Sequence, residues 1–301
     1  MKKPNTLPTL LAWLGVLSFF CIFASKPVMA SSRVRFREVQ SHLIIIPVSI
    51  NGAGPFDFIF DTGASATIID SEIAKQLSLH SAEAASINSG AMTNVVTCYR
   101  LDNLTLGAKS VENLTVPCAE LSEIHSIGPK IRGVLGQDFL SRFNYILNYR
   151  DQRIEFEENG EFENNLRGTR MAVDRDRGRV IIAVQPSSQR KQASPFVLDS
   201  GAARMVVFKA ALGNFEVVMD HGLDGIAYGS TVLGKQMAAT GRLQSIRVGD
   251  ERLPDVPVRI VENREALKGR PEHGLLPTSL FRSIYFNNKA DHVILNPRFP
   301  T

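Results

Sequence analysis

The sequence predicts a mostly β protein with two similar lobes and short helices, and three observations lead to that prediction. The chain has 301 residues, which is long enough for two units of ordinary domain size. A motif in its first half recurs in its second half. Each half consists mainly of short runs rich in β-branched and aromatic residues, separated by turn residues.

The first thirty residues have the composition of a secretory signal peptide rather than of a folded unit. Lys2 and Lys3 precede an apolar stretch over residues 7–24, and the segment ends in VMA at Ala30. We predict cleavage after Ala30 and export to a periplasmic or extracellular compartment. The alternative is an uncleaved N-terminal membrane anchor, because the apolar stretch approaches the roughly 20 residues that a spanning helix needs.

Charge argues against two classes of partner. The chain carries 34 Lys and Arg and 30 Asp and Glu, and three of the lysines but none of the acids lie in the first thirty residues. The predicted mature chain is therefore nearly neutral. We expect neither nucleic acid nor an anionic membrane as a partner, and no later segment is long and apolar enough to span a bilayer.

An internal duplication sets the architecture. Three blocks recur in the same order, at spacings of 138 to 142 positions: PFDFIFDTGA at 55–64 and PFVLDSGA at 195–202, RL with a later glycine at 100–107 and 242–249, and GVLG at 133–136 against GLLP at 274–277. Such a repeat predicts one unit used twice. We place the N-terminal lobe at 31–165 and the C-terminal lobe at 166–301, related by a pseudo-twofold axis.

Strands dominate both predicted units. The predicted strands are Leu43–Ile50, 56–60, 97–106 and 110–118 in the first unit and 180–184 and 196–198 in the second. Short helices are expected at 71–79, 137–143 and 278–284. The polar stretch 157–168 has almost no apolar residues and is predicted to link the two units.

The two cysteines of the predicted mature chain, Cys98 and Cys118, are expected to form a disulfide in an oxidising compartment. If Leu106 pairs with Ser110 around the intervening turn, Cys98 lies opposite Cys118. The alternative is a pair of free, buried thiols.

Each copy of the first block contains an aspartate directly after an apolar strand. Asp61 and Asp199 would be costly to desolvate unless their surroundings hydrogen-bond the charged form. Gly63 and Gly201 follow two residues later and let each loop expose a backbone N–H to the carboxylate. A single loop of this kind usually marks an ordinary turn, but two copies in a duplicated chain would bring the aspartates face to face.

Two carboxylates that close together cannot both ionise cheaply, so one keeps a proton while the other is charged. The charged partner can take a proton from a water that attacks a peptide carbonyl, and the protonated partner can donate to the developing oxyanion. No cofactor or metal is needed for that chemistry. The six histidines are scattered without ligand spacing, so no metal site is predicted.

The Asp61-Thr62-Gly63-Ala64 and Asp199-Ser200-Gly201-Ala202 loops, each with a later apolar pair that a glycine follows in the first copy, resemble the retropepsin and pepsin superfamily of aspartic peptidases. The resemblance is strongest to bacterial exported retropepsin-like members and covers residues 36–156 and 170–296. It implies two retropepsin-like β-barrel lobes, and Thr62 and Ser200 hydrogen-bonded across the lobes. It also implies Asp61 and Asp199 as the catalytic pair.

The sequence departs from that family pattern in two places. Pro277 stands where the family has a glycine, which puts the geometry behind Asp199 in question, although proline suits the first position of a helix. No tyrosine lies between Asp61 and Cys98. The predicted covering loops that would bind substrate are therefore one that contains Gly90 and one that contains Tyr228 and Gly229.

The leading hypothesis is an aspartic endopeptidase that acts on a polypeptide in a cleft between the lobes. Because one chain supplies both aspartates, we expect a monomer. The alternative is a non-catalytic module that binds peptides or a partner on the same scaffold.

Overall fold

A computed structural model describes residues 32–40, 42–89, 92–186, 192–220, 226–231, 234–262 and 269–299. The predicted signal peptide and its cleavage site lie outside the described residues, as does Gly90. Within the described part of the chain, no helix is long and apolar enough to cross a membrane. We number strands and helices along the chain.

Lobe one is built on an eight-stranded sheet with the order β2-β3-β4-β9-β5-β8-β7-β6. Its strands are β2 (Arg37–Val39), β3 (Leu43–Ile50), β4 (Ala53–Phe60), β5 (Ile68–Asp70), β6 (Ser81–Ser89), β7 (Met92–Leu106), β8 (Lys109–Ala119) and β9 (Ile131–Leu135). β3 also pairs with β7, so the sheet curls back on itself as a barrel does. Residues that alternate inward fill its interior.

Lobe two repeats this arrangement in a nine-stranded sheet. Its strands are β13 (Asp174–Asp176), β14 (Arg179–Pro186), β15 (Ser194–Asp199), β16 (Met205–Phe208), β17 (Val217–Met219), β18 (Ile226–Thr231), β19 (Gly234–Val248), β20 (Glu251–Val261) and β21 (Gly274–Pro277). β14 pairs with β19 as β3 pairs with β7. The prediction of a mostly β, two-lobed fold is confirmed.

The registers of the two lobes match residue by residue. In lobe one Ile69 lies beside Cys118, and in lobe two Val207 lies beside Ile260. These pairs are related by shifts of 138 and 142 positions, the spacings that the sequence repeat predicts. The duplication therefore extends to the strand pairing.

A third sheet of six strands joins the lobes. Its order is β1-β11-β10-β22-β23-β12, and its strands are β1 (Arg33–Arg35), β10 (Tyr145–Asn148), β11 (Arg153–Phe156), β12 (Arg167–Ala172), β22 (Ser283–Asn287) and β23 (His292–Arg298). The pseudo-twofold axis passes between β10 and β22, where Tyr145 pairs with Phe286. Those two rings stack at 4.9 Å inside a core that both lobes share.

The helices are shorter than predicted. Among the residues that the structure describes, they are α1 (Ser71–Gln76), α2 (Ser122–Ile127), α3 (Gln137–Leu140), α4 (Glu161–Asn165) and two 3₁₀ helices, Lys209–Asn214 and Thr278–Leu280. The predicted helix at 278–284 was wrong in its second half, where β22 begins at Ser283. Burial of all five β22 residues in the joining sheet overrides the local helix preference.

The segment 157–168, predicted as a linker, contains α4. The Glu157 carboxylate accepts hydrogen bonds from the backbone N–H groups of Phe162 and Glu163, at 2.7 and 3.1 Å, and from the Tyr285 hydroxyl at 3.0 Å. The connection between the lobes is thereby fixed to the joining sheet.

The expected Cys98–Cys118 disulfide is not formed, and both residues are free thiols. The sequence argument misplaced the register by one residue: Leu106 pairs with Lys109, so Cys98 lies opposite Pro117. A one-residue shift reverses the face to which a strand residue points. Cys118 packs against the main core and Cys98 points to the opposite face of the sheet.

Candidate active site

Asp61 lies in the loop that directly follows β4. Its backbone N–H donates to the carbonyl of Leu135 on β9, at 3.1 Å, which fixes the start of the loop. The N–H groups of Gly63 and Ala64 then donate to Oδ1 of Asp61 at 2.8 and 3.2 Å. The loop thus supplies the hydrogen bonds that a desolvated carboxylate requires.

Asp199 occupies the corresponding position as the last residue of β15. The N–H of Gly201 donates to its Oδ1 at 2.7 Å, and the residue is only 7% exposed. Both predicted aspartates therefore stand at the ends of buried strands, with a glycine N–H on each carboxylate.

The two carboxyl groups meet between the lobes. A Cβ on Gly63 would overlap the carboxyl group of Asp199, and a Cβ on Gly201 would lie 2.8 Å from Oδ2 of Asp61. Each glycine therefore leaves space for the opposite aspartate, which any side chain would fill. The carboxyl groups of Asp61 and Asp199 therefore lie close enough for each to affect the pKa of the other.

Burial raises the pKa of both carboxyl groups. The pKa of Asp199 lies well above the usual range, first because the group is desolvated and second because Asp61 adds a neighbouring negative charge. Desolvation also raises the pKa of Asp61, but the Gly63 N–H, the neighbouring Asp199 carboxyl group, the Ala64 N–H and the charge of Arg179 oppose that rise. Both carboxyl groups therefore hold a proton more readily than an exposed aspartate does, and the two titrate as a pair.

Thr62 and Ser200 join the Asp61 and Asp199 loops by hydrogen bonds, as the resemblance implied. The Thr62 hydroxyl donates to the carbonyl of Leu198 at 2.8 Å and accepts the Ser200 N–H at 3.0 Å. The Ser200 hydroxyl donates to the carbonyl of Phe60 at 2.7 Å and accepts the Thr62 N–H at 3.0 Å. These four reciprocal bonds are buried, so they hold both aspartates in one geometry.

Lobe one supports the Asp61 loop with a polar network. Thr67 accepts the Gly136 N–H at 3.1 Å, and its own hydroxyl and N–H donate to the Asp138 carboxylate at 2.6 and 2.9 Å. Gln137 donates from Nε2 to the Thr62 carbonyl at 2.8 Å. A Cβ on Gly136 would lie 2.5 Å from the backbone carbon of Ala66, so only glycine fits there.

Lobe two has different residues at three positions of that network. Met205 stands at the position of Thr67, Pro277 at that of Gly136 and Ser279 at that of Asp138. Met205 is fully buried and offers no strong hydrogen-bond acceptor, and proline has no N–H that would need one. Pro277 ends β21 beside Asp199 and precedes the 3₁₀ helix, so the departure from the family pattern is accommodated.

Two hairpins correspond to the predicted covering loops. β6 and β7 form one, and Gly90, which comes between these strands in the sequence, is outside the described residues. β18 and β19 form the other, in which Tyr228 pairs with Met237 and Gly229 with Gln236. Tyr228 is 65% exposed. Strands β18 and β19 contact α2 of lobe one, so this hairpin extends across to the opposite lobe.

Sequence reasoning missed the residues behind the Asp61 loop. Thr67 lies 71 positions before Asp138, and only the folded chain brings Thr67 to Gln137 and Asp138 in α3. The repeat contains a signal that could have revealed this network. Thr67, Gly136 and Asp138 all differ from their counterparts in the second copy, which indicates that the three positions depend on one another.

A comparison with protein-family models finds the aspartyl protease family twice in this chain. The matches cover residues 46–139 and 189–280, one in each lobe and together more than half of the sequence. The chain belongs to the aspartyl protease family. No curated protein matches it significantly.

Proposed function

We propose that the protein is an aspartic endopeptidase whose Asp61 and Asp199 activate a water for attack on a peptide bond. The observation that carries the proposal is the pair of facing carboxyl groups, each approached closely by the glycine of the opposite loop. Such a pair supplies an acid and a base in one site.

The surroundings of the two aspartates support a division of roles. Both carboxyl groups accept backbone N–H bonds from their own loops, and Asp61 also has the positive charge of Arg179 nearby, so it is the member better suited to carry the negative charge. Asp199, whose pKa is raised further, holds the proton. Asp61 then removes a proton from the water while Asp199 donates to the carbonyl oxygen of the substrate.

The substrate in this proposal is an extended polypeptide in the cleft between the lobes. Its backbone pairs with strand edges and its side chains alternate between pockets. The hairpins that contain Gly90 and the pair Tyr228 and Gly229 cover it. We further propose that the enzyme is exported after cleavage at Ala30 and acts as a monomer, since one chain provides both aspartates.

The direct test is cleavage of a denatured protein substrate, followed by mass spectrometry of the fragments. We expect Asp61→Asn and Asp199→Asn each to abolish turnover, by a factor of at least about 10³, and the double variant to lose no more than either single one. The side chains keep their size, so thermal unfolding and circular dichroism should show that all three variants are folded.

Full turnover in either folded single variant would refute the dyad. Tight peptide binding by a wild-type protein that cuts nothing would instead favour a binding module on this scaffold. Chelators and serine- or thiol-directed reagents serve as controls and are expected to leave the rate unchanged.

A further inference from the structure

Two arginines of lobe two, Arg204 and Arg259, lie near the Asp199 loop, and neither has an acidic partner among the described residues. Arg204 comes five residues after Asp199, at the end of the same loop, and is exposed. Arg259 is in β20, directly beside Val206 of β16. Val206 is two residues after Arg204, so the strand pairing brings the two arginines together on one part of the lobe.

These arginines adjoin an apolar surface. Phe208, Ala238 and Val261 form a buried cluster, and Val206 packs against it. Arg259 is two residues before Val261 on the same strand, and alternate residues of a strand share a face. The two guanidinium groups therefore lie at the border of an apolar wall, as a subsite for an amphipathic side chain would require.

Nothing in the described residues neutralises these two charges. Nε of Arg259 is buried and has no hydrogen-bond partner. Burial lowers the pKa of Arg259, and the positive charge of Arg204 lowers it further. Two acids close to Arg259 in the sequence pair with other cations, since Asp255 pairs with Arg242 and Glu262 pairs with Lys209.

We propose that Arg204 and Arg259 form a subsite that binds an acidic side chain of the substrate. A carboxylate would supply the partner that the buried Nε lacks and would relieve the repulsion between the guanidinium groups. This inference rests on the proposed peptidase function and adds a substrate class to it.

The subsite belongs to one half of the cleft only. At the repeat spacings of 138 and 142 positions, the counterparts of Arg204 and Arg259 in lobe one are Ala66 and Pro117. Neither carries a charge. An extended substrate places one side of its scissile bond along each lobe, so the acidic preference is confined to one side.

The chain also limits the distance from the scissile bond. Five residues separate Arg204 from Asp199, and five residues span at most about 17 Å when fully extended. An extended peptide advances about 3.3 Å per residue. The preferred acidic residue therefore lies within about five positions of the cleaved bond.

The experiment is cleavage profiling with a peptide library, read by mass spectrometry. For the wild type we expect about a tenfold higher kcat/KM for Asp or Glu than for Asn or Gln at one position on one side. A tenfold difference equals about 1.4 kcal/mol. R204Q and R259Q should each reduce the preference to within about twofold, and R204E should favour Lys or Arg at that position.

R252Q is the matched control, because Arg252 is an exposed arginine of the same strand β20 that lies far from this cluster in the strand. It should keep the wild-type preference. Since Arg204 is exposed, its variants should fold even if R259Q does not, and thermal melts check this.

Three outcomes would overturn the subsite: no acidic preference in the wild type, equal preferences on both sides of the bond, or a preference that persists in R204Q. If the wild type cleaves nothing, the proposed activity fails but the subsite remains testable. Fluorescence anisotropy of Asp61→Asn with a Glu peptide and its Gln analogue should still show about tenfold tighter binding of the Glu peptide, and equal binding would refute the subsite.

Discussion

The two aspartate loops arose from one repeated unit, yet the two lobes support them differently. Behind Asp61, Thr67 and Asp138 form a hydrogen-bonded network that accepts the Gly136 N–H. Behind Asp199, Met205 and Pro277 occupy the corresponding positions. Pro277 has no N–H to donate, and Met205 has no hydroxyl to accept one. What both loops share is the reciprocal Thr62–Ser200 bonding and a glycine facing the opposite carboxylate.

The difference shows which features the paired site requires and which can vary. Contacts that cross between lobes are kept in both copies, because each one fixes the position of the other aspartate. Contacts within a lobe differ at all of their positions together. If proline replaced Gly136 while Thr67 remained, the buried Thr67 hydroxyl would lose the N–H that it accepts. The more polar support lies behind Asp61, the aspartate that we propose carries the charge.

The largest expected effect of this asymmetry is on the pH dependence of activity. The active pair holds one proton, so activity should fall about tenfold per pH unit when Asp61 gains a proton at low pH or Asp199 loses its proton at high pH. Both pKa values are raised above the usual 3.8, so the whole bell-shaped profile should lie above that value. Initial rates on a fluorogenic peptide between pH 3 and about pH 9 would measure it.

Stability gives an independent measure of the same shift. A carboxyl group whose pKa is raised by folding stabilises the protein below its unfolded pKa, and that contribution is lost as pH rises through the folded pKa. The melting temperature of the wild type should therefore fall relative to Asp199→Asn as pH rises. A constant difference at all pH values would show that the pKa of Asp199 is not raised.

The next largest effect is on stability and concerns Gly136, which is replaced by proline in lobe two. Gly136→Ala should destabilise the protein by about 3 kcal/mol, because the new Cβ would press on the Ala66 backbone, which cannot move aside as a side chain could. Pro277→Ala, at the corresponding position, should cost less than about 1 kcal/mol. Urea denaturation of both variants makes the comparison, and equal losses would show that the lobes have the same restriction.

A smaller difference is expected for the polar network. Thr67→Val removes the acceptor of the Gly136 N–H and a donor to Asp138, whose pKa is already raised by desolvation. We expect a loss of about 2 kcal/mol. Ser279→Ala, at the exposed position that corresponds to Asp138, should change stability by less than about 0.5 kcal/mol. Chemical denaturation tests both, and a large effect of Ser279→Ala would contradict the proposed asymmetry.

The sequence predicted the parts of this molecule that repeat, and it failed where a single residue of register mattered. The paired Asp61 and Asp199 loops, the strand β3 and the crossing bonds of Thr62 and Ser200 follow from motifs present twice. The Cys98 pairing depended on the tightness of one turn, which composition does not determine. The Thr67–Asp138 contact joins residues 71 positions apart, so no local pattern could predict it.

The smallest expected effect tests whether the two lobes are stabilised alike. Thr240 and Ile260 of lobe two correspond to Cys98 and Cys118, and both lobes have the same register: Thr240 lies opposite Arg259 as Cys98 lies opposite Pro117. Because no disulfide is formed, a reductant should shift the melting temperature by less than about 1 °C, whereas loss of a bridge worth about 2–4 kcal/mol would lower it by several degrees. Burial raises the pKa of both thiols, so alkylation should be slow in the native protein and complete in denaturant without reductant. If mass spectrometry found the two cysteines linked, the register of β7 and β8 would have to differ by one residue. Lobe one, unlike lobe two, would then be stabilised by a disulfide.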